Sequence, residues 1–228
     1  MNFYKILNKE ENHNGLQYKT GLNVDPLPWD PVGDCTPGGI YFSREDILAF
    51  IGYGPWLREV IVPKGVEVYE NPGKPKKWKA HKVILGKRKK IDTSVIKSLL
   101  KEGANVHAND DCTLRWASVN KHLKTAELLL KHGANVHIGN DWALKEASIN
   151  GHLEVVRLLI RYGANVHASG DWALKEACTN GHLKVVKFLI KHGADVHAAN
   201  TFALKWASRS GHTEIVELLL KHGADQTT

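Results

Sequence analysis

The sequence has no apolar run of the roughly 18 residues that a membrane-spanning helix requires, so it is not expected to cross a bilayer. Its opening residues, Met1-Asn-Phe-Tyr-Lys-Ile-Leu-Asn-Lys-Glu-Glu, offer only a short apolar stretch broken by charge, and no secretory leader is expected. Cysteine is scarce: Cys35, Cys112 and Cys178 lie far apart with no Cys-x-x-Cys spacing. They make neither a disulfide framework nor a zinc site, which fits a reducing compartment such as the cytoplasm. Catalytic signatures are also missing. No glycine-rich phosphate loop, Ser/His/Asp set or carboxylate pair stands out. The expectation is a protein that is not an enzyme and holds no cofactor and no metal.

Apolar residues make up 43% of the 228, enough for a buried core and too many for a wholly disordered chain. The formal net charge is +7, and its placement is uneven. Residues 1–73 hold 6 basic and 10 acidic side chains, residues 74–90 hold 9 basic and none acidic, and residues 91–228 hold 16 and 14. The basic character is therefore one segment, Lys74 to Lys90, and not a property of the whole surface. It also marks a change in composition, which sets the expected domains at 1–90 and 91–228.

Repetition dominates the second half. Gly-Ala-Asn/Asp recurs at Gly103, Gly133, Gly163, Gly193 and Gly223, always 30 residues apart. In register with it run Leu114, Leu144, Leu174 and Leu204, then Ala117, Ala147, Ala177 and Ala207, then the pairs Gly151-His152, Gly181-His182 and Gly211-His212. Lys121-His122 stands at the equivalent place. Each unit reads as two short helices, here about Ala143–Ile149 and Leu153–Tyr162, with Asp141 before the first as an N-cap and Gly163 closing the second. Asp111, Asp171 and Thr201 share the Asp141 column. One unit is too small to bury its own apolar face, whereas a stack of four makes a continuous core.

At Gly151-His-Leu-Glu-Val-Val-Arg-Leu-Leu-Ile160 and Gly163-Ala-Asn-Val-His167 the chain resembles ankyrin repeats. The resemblance covers roughly residues 91–228, four units plus a leading second helix at Val95–Lys101. It implies an α-solenoid of helix-turn-helix units that binds protein partners on a concave side. Two departures stand out. The family period is about 33 residues, and the deficit here falls between Ile138 and Leu144, which should leave stubby fingers. The family's Thr-Pro-Leu-His is replaced by Trp142-Ala-Leu-Lys145 and Trp172-Ala-Leu-Lys175, so its Thr–His hydrogen bond cannot form. The aspartate one residue earlier is expected to cap the helix and to pair with the lysine four residues on.

Eleven of the thirteen histidines fall in repeat columns, which points to local turn geometry and away from metal. Trp142 and Trp172 share a column with Cys112 and Phe202 and are expected to pack between repeats. Trp116 and Trp206 alternate with Glu146 and Glu176, a column less like core. The residues before Gly-His vary most: Val119, Ile149, Thr179 and Arg209. In ankyrin proteins the matching first-helix positions touch partners. The candidate partner-binding residues are therefore Ile149, Asn150, Thr179, Asn180 and Arg209 at the helix ends, with Asn140, Asp141, Gly170 and Asp171 at the fingers.

Residues 1–90 show no repeat. Phe3–Asn8, Gly39–Phe42, Trp56–Val62, Val66–Tyr69 and Trp78–Leu85 read as strands. Gly21 to Gly39 reads as a long ordered loop, and Ser43-Arg-Glu-Asp46 as a capping-box start to a helix ending near Tyr53. This is a small α+β domain. Asn14-Gly-Leu-Gln-Tyr-Lys-Thr-Gly-Leu-Asn-Val-Asp25, Asp34-Cys-Thr-Pro-Gly-Gly-Ile-Tyr-Phe-Ser-Arg-Glu-Asp46 and Val68-Tyr-Glu-Asn-Pro72 resemble the domain that precedes ankyrin arrays in the mimivirus group, giant viruses of amoebae. A host protein is then the expected partner, met in the host cytoplasm.

Two alternatives attach to this domain. Gly39-Ile-Tyr-Phe42 resembles a strand of poly-ADP-ribose-polymerase-type transferases, but only over four residues. The sole preceding histidine is His13, in His-Asn-Gly, and residues 71–90 offer no carboxylate as a late catalytic glutamate. Lys87, Arg88, Lys89 and Lys90 form a patch that could contact an anionic ligand such as nucleic acid, or act as a nuclear address. A strand-and-linker stretch with solvated lysines is the simpler reading of that run.

Overall fold

Alternating burial marks β-strands through the first third of the chain. Val83 and Leu85 are buried while Lys82 and Ile84 face outward, the period of two that a half-buried strand requires. The computed structural model describes residues 2–30, 38–197 and 200–224. The chain forms two compact units, Met1–Thr113 and Leu114–Thr228.

The first unit runs β1 (Phe3–Leu7), β2 (Asn12–His13), β3 (Leu16–Gln17), β4 (Gly21–Val24), β5 (Ile40–Phe42), a 3-10 helix (Ile47–Tyr53), β6 (Trp56–Ile61), β7 (Val68–Asn71), β8 (Lys77–Ala80), β9 (Lys82–Leu85), β10 (Lys89–Lys90) and α1 (Thr93–Lys101). One antiparallel sheet has the order β1-β6-β9-β4, with β10 also on β6; a second has the order β5-β8-β7; β2 and β3 form a small hairpin. Leu7, Tyr18, Ile40, Phe42, Val60, Ala80, Val83 and Leu85 make their shared core. The α+β expectation for this region holds.

Three local expectations are corrected. Gly21–Val24 is a strand inside the stretch read as loop, because it pairs with Lys82–Leu85 along its whole length; residues 31–37, with Cys35, lie outside the described residues. Trp78–Leu85 is two strands, broken at His81, and the halves join different sheets. The capping box does not form. The Ser43 hydroxyl donates to the Lys76 carbonyl, and the Asp46 carboxylate accepts from the Lys76 amide and the Asn105 side chain. Long-range partners have taken the groups that local backbone would have used. Asp92, by contrast, caps α1 as expected, accepting from the Ser94 and Val95 amides at 2.8 and 3.0 Å. That helix belongs to the first unit, where the Tyr4 hydroxyl donates to Glu102 at 2.8 Å and the Thr113 hydroxyl to the Leu48 carbonyl at 2.9 Å.

A buried ion pair ties the strands together. The Arg58 guanidinium grips Glu11 with two bonds, 2.7 and 3.1 Å, and donates also to Thr20 and to the Gly86 carbonyl. Every arm of the fork is used, which is what makes such a burial tolerable. Arginine hydrogen bonding holds the Glu11 carboxyl below its ordinary 4.5. Its contribution is therefore present above that value and is lost as pH falls through the lowered one. Glu11→Gln should cost about 3 kcal/mol in chemical unfolding at pH 7. The gap to wild type should narrow as the medium is acidified below pH 4.

The helix α2 (Ala108–Val119) carries the chain into the second unit, which continues with α3 (Leu123–Lys131), α4 (Ile138–Ile149), α5 (Leu153–Arg161), α6 (Ala168–Thr179), α7 (Leu183–Lys191), α8 (Asn200–Arg209) and α9 (Thr213–Lys221). Leu114, Leu144 and Leu174 from first helices and Leu129, Leu159 and Leu189 from second helices are buried, each contributing about 2 kcal/mol. Ala117, Ala147, Ala177 and Ala207 are fully buried, and their small side chains let neighbouring helices approach. The solenoid of paired helices is present with its 30-residue period.

The Gly-His pairs do more than turn the chain, which corrects the purely local explanation of that histidine column. His152 Nε2 donates to the Val119 carbonyl, His182 Nε2 to Ile149 and His212 Nε2 to Thr179, at 3.0, 2.8 and 3.1 Å. Each histidine thus closes the first-helix end of the preceding repeat. Gly151 and Gly181 have positive φ, and a Cβ on them would lie 2.5 and 2.6 Å from the rings of His182 and His212. Lys121 occupies the same place with φ of 59°, a conformation that costs a side-chain-bearing residue about 1 kcal/mol or more. Lys121→Gly should raise thermal stability, by about 1 kcal/mol in a chemical melt, and Gly181→Ala should lower it by more.

Candidate partner-binding face

The short finger is built from residues that tolerate left-handed backbone. Gly139, Asn140 and Asp141 have φ of 62°, 55° and 57°, and Ser169, Gly170 and Asp171 repeat this at 54°, 66° and 57°. Regular helix begins only after them, close to the expected start at Ala143. The two aspartates are buried. The Asp141 carboxylate accepts from the Asn165 amide at 3.0 Å, and Asp171 from the Asp195 amide at 2.8 Å. His137 Nδ1 lies 3.1 Å from Asp141, and His167 Nδ1 lies 3.1 Å from Asp171.

The expected cap on the aspartate's own helix, and its pairing with the lysine four residues on, are therefore replaced by a bond to the next repeat. Asp141 and Asp171 were candidates for partner contact. Their side chains are used up inside the array, at 5% and 2% exposure, and they are not offered to a partner. Asp171→Ala should cost about 2 kcal/mol, since it strips a buried amide of its acceptor and leaves alanine in left-handed backbone. Urea unfolding measures it.

The other candidates fall at the two ends of the first helices. Asn140 and Gly170 are exposed at the fingers. At the far ends, Asn150 and Asn180 are exposed, and their side-chain amides donate to the Glu146 and Glu176 carbonyls, closing the helix. Ile149 and Thr179 are half-buried, and the Thr179 hydroxyl donates to the Lys175 carbonyl. Arg209 is exposed and lies over the Trp206 ring, 5.4 Å from its centroid. A first helix of two turns separates the two ends by about 12 Å.

Between them lies a feature that the sequence reading assigned to the interior. Trp142 and Trp172 are each 39% exposed and Phe202 is 62% exposed. They do not pack away between repeats. Cations lie against them instead: Arg115 is 5.5 Å from the Trp142 centroid, and the Lys145 ammonium is 5.3 Å from Trp142 and 4.4 Å from Trp172. Lys145 thus bridges two successive rings. The signal was in the columns: Arg115, Lys145, Lys175 and Lys205 recur every 30 residues, three positions after the aromatic column. That spacing brings side chains onto one helix face.

The basic segment offers a more divided surface. Arg88 is held 3.3 Å from Glu11 and lies over the Trp56 ring at 4.5 Å. Lys89 and Lys90 form β10, paired with Leu57 and Trp56, so their side chains leave on opposite faces. Lys79 is fully buried, over the rings of Trp29 and Tyr41. Lys87 is exposed. Among the described residues, no group of His, Cys, Asp and Glu has an arrangement that could hold a metal ion, and no helix is long and apolar enough to cross a membrane. Cys178 is buried, and burial raises its thiol to about 12, which removes it from thiolate chemistry.

Comparison with known proteins bears on the repeats. A family model of three ankyrin repeat copies matches residues 144–228, and a single ankyrin repeat model matches residues 113–141. An ankyrin repeat protein of Acanthamoeba polyphaga mimivirus is 39% identical over 109 residues, 44% of this chain and 36% of that protein. An uncharacterized protein of the same virus is 33% identical over 132 residues, 54% of this chain and 92% of its own length. Another of that virus's ankyrin repeat proteins is 31% identical over 137 residues, 55% of this chain and 65% of its own. The matched stretch is thus about a third of the first relative and most of the second.

Proposed function

The chain belongs to the ankyrin-repeat family, and on that premise we propose that it is a non-catalytic scaffold whose first-helix face binds an acidic segment of a partner protein. Ankyrin repeats indicate protein–protein interaction. The observation that carries the finer reading is the stripe of exposed rings, Trp142, Trp172 and Phe202, with the half-buried cations Arg115 and Lys145 against them. Half-exposed tryptophans on a rigid helical face leave apolar area in water that a partner would cover, and Trp and Arg carry much of the binding energy at protein interfaces. The column of four cations favours a partner with carboxylates. Asn140 and Gly170 at one end, and Ile149, Asn150, Thr179, Asn180 and Arg209 at the other, would border the contact. The viral relatives make a host protein, met in the host cytoplasm, the natural candidate. In this reading the domains are the α+β region 1–90 and the array 91–228.

Nucleic-acid binding through Lys87, Arg88, Lys89 and Lys90 is the weaker alternative, since Arg88 is engaged within the domain and the strand divides the two lysines that follow. Affinity capture from infected amoebal cells, followed by binding measurements with the captured partner, tests both. Changing Trp142 and Trp172 together to Ala should weaken binding by at least about tenfold with little change in melting temperature. Neutralising Lys87–Lys90 should leave it intact. The opposite pattern would move the site to the basic segment.

A further inference from the structure

The larger sheet of the first unit has one face in the shared core, to which Val60, Val83 and Leu85 belong. Its other face is covered only on the β1 side. There Tyr4, Ile6 and Leu57 are buried, and the Tyr4 hydroxyl reaches Glu102 just beyond α1. On the β4 side Leu22, Ile84 and Ile61 are 51%, 36% and 54% exposed. Leu22 stands directly opposite Ile84, and Ile84 directly opposite Ile61. The three side chains therefore form one row across three strands. Val24, two residues along β4 and so on the same face, extends it at 43% exposure.

Outward positions of a water-facing antiparallel sheet are ordinarily polar. Here they are aliphatic in every strand of the row. β4 is also the last strand in the sheet order, and Gly21-Leu-Asn-Val24 carries none of the charge or proline that guards an edge. The adjoining side chains make a patch on the order of 300 Å2, the scale at which a patch on a monomer serves contact.

Charge selects the occupant. Lys82 lies two residues from Ile84 along β9 and is exposed, and Glu59 lies two residues from Ile61 along β6 and is half-buried. Both share the face of the row. The pairing of Ile61 with Ile84 and of Val60 with Leu85 puts them on opposite sides of it. A two-fold axis along the row exchanges those sides. It lays Leu22, Ile84 and Ile61 over a second copy of themselves. It also sets each Lys82 one strand away, about 4.8 Å sideways, from Glu59 of the other copy, within reach of a lysine. A polyanion or an anionic membrane would gain from Lys82 and lose at Glu59, whereas a second copy answers both.

We propose that this sheet face is the interface of a homodimer, packed face to face about a two-fold axis that runs along the Leu22–Ile84–Ile61 row. A standard interface covers about 800 Å2 on each partner, so the dimer is weak and forms toward the upper end of the micromolar range. The proposal stands apart from the reading of the repeat face.

Sedimentation equilibrium of the full chain, from micromolar to millimolar concentration, tests it. The average mass should rise from one chain toward two. Leu22→Thr with Ile84→Thr should weaken association at least about tenfold, with the fold checked by circular dichroism. Lys82→Glu and Glu59→Lys should each weaken it, and the two combined should restore it. A chain that stays single at every concentration would overturn the proposal, and so would one that stays single yet binds vesicles of anionic lipid through this patch. Association unchanged in the double threonine variant, or a combined charge exchange no stronger than either single one, would overturn it as well. Association that instead disappears with Trp142→Ala and Trp172→Ala would move the interface to the repeats.

Discussion

The repeat array rests on one demand: before the first helices at Cys112, Trp142 and Trp172, three consecutive residues turn left-handed, all three carrying side chains at Asn109–Asp111 and two of the three at Gly139–Asp141 and Ser169–Asp171. Left to itself such a turn costs a few kcal/mol. The buried carboxylate of Asp141 or Asp171 offsets that cost by reaching 24 residues ahead to an amide of the next repeat. The histidine four residues before each aspartate holds the carboxylate from the other side. The shortened period, the stubby finger and the exposure of the tryptophan beside it follow from this arrangement. With the longer finger gone, Trp142 and Trp172 are left 39% exposed.

Two kinds of bond therefore join successive repeats. At the finger end an aspartate reaches forward to an amide; at the helix end a histidine reaches back 33 residues to a carbonyl. The buried leucine and alanine columns supply the bulk of the stabilisation, but they are not directional. The polar bonds fix the angle at which one pair of helices meets the next, and hence the spacing of the exposed rings. The bridging of Trp142 and Trp172 by Lys145 depends on that spacing.

What could be read beforehand was what is local or what repeats. The period, the helix limits, the cap at Asp92 and the leucine columns are set by neighbours in sequence, and they stand in the structure. The sheets of the first unit were legible only in pieces. His81 breaks a run of apolar and basic residues that looks continuous, and the two halves answer to partners far along the chain. Asp46 and Ser43 carried a convincing local signal, yet Lys76 and Asn105 claim them. Trp142 misled because a periodic tryptophan reads as core, and the cations that keep it at the surface sit in a separate column. Charge misled as well: the segment with the most lysines contains one that is wholly buried, Lys79, and an arginine committed to Glu11.

The bonds between repeats have a consequence for how such an array can change. In each, a side chain of one repeat meets only the main chain of its neighbour: histidine meets a carbonyl, aspartate an amide. Main-chain groups are the same whatever residue carries them. For these two bonds each thirty-residue module therefore brings its own connectors. What a neighbour must match is narrow: a glycine at positions such as Gly151 and Gly181, to leave room for the next histidine ring, so modules that keep that glycine and histidine can be duplicated or exchanged with few paired adjustments.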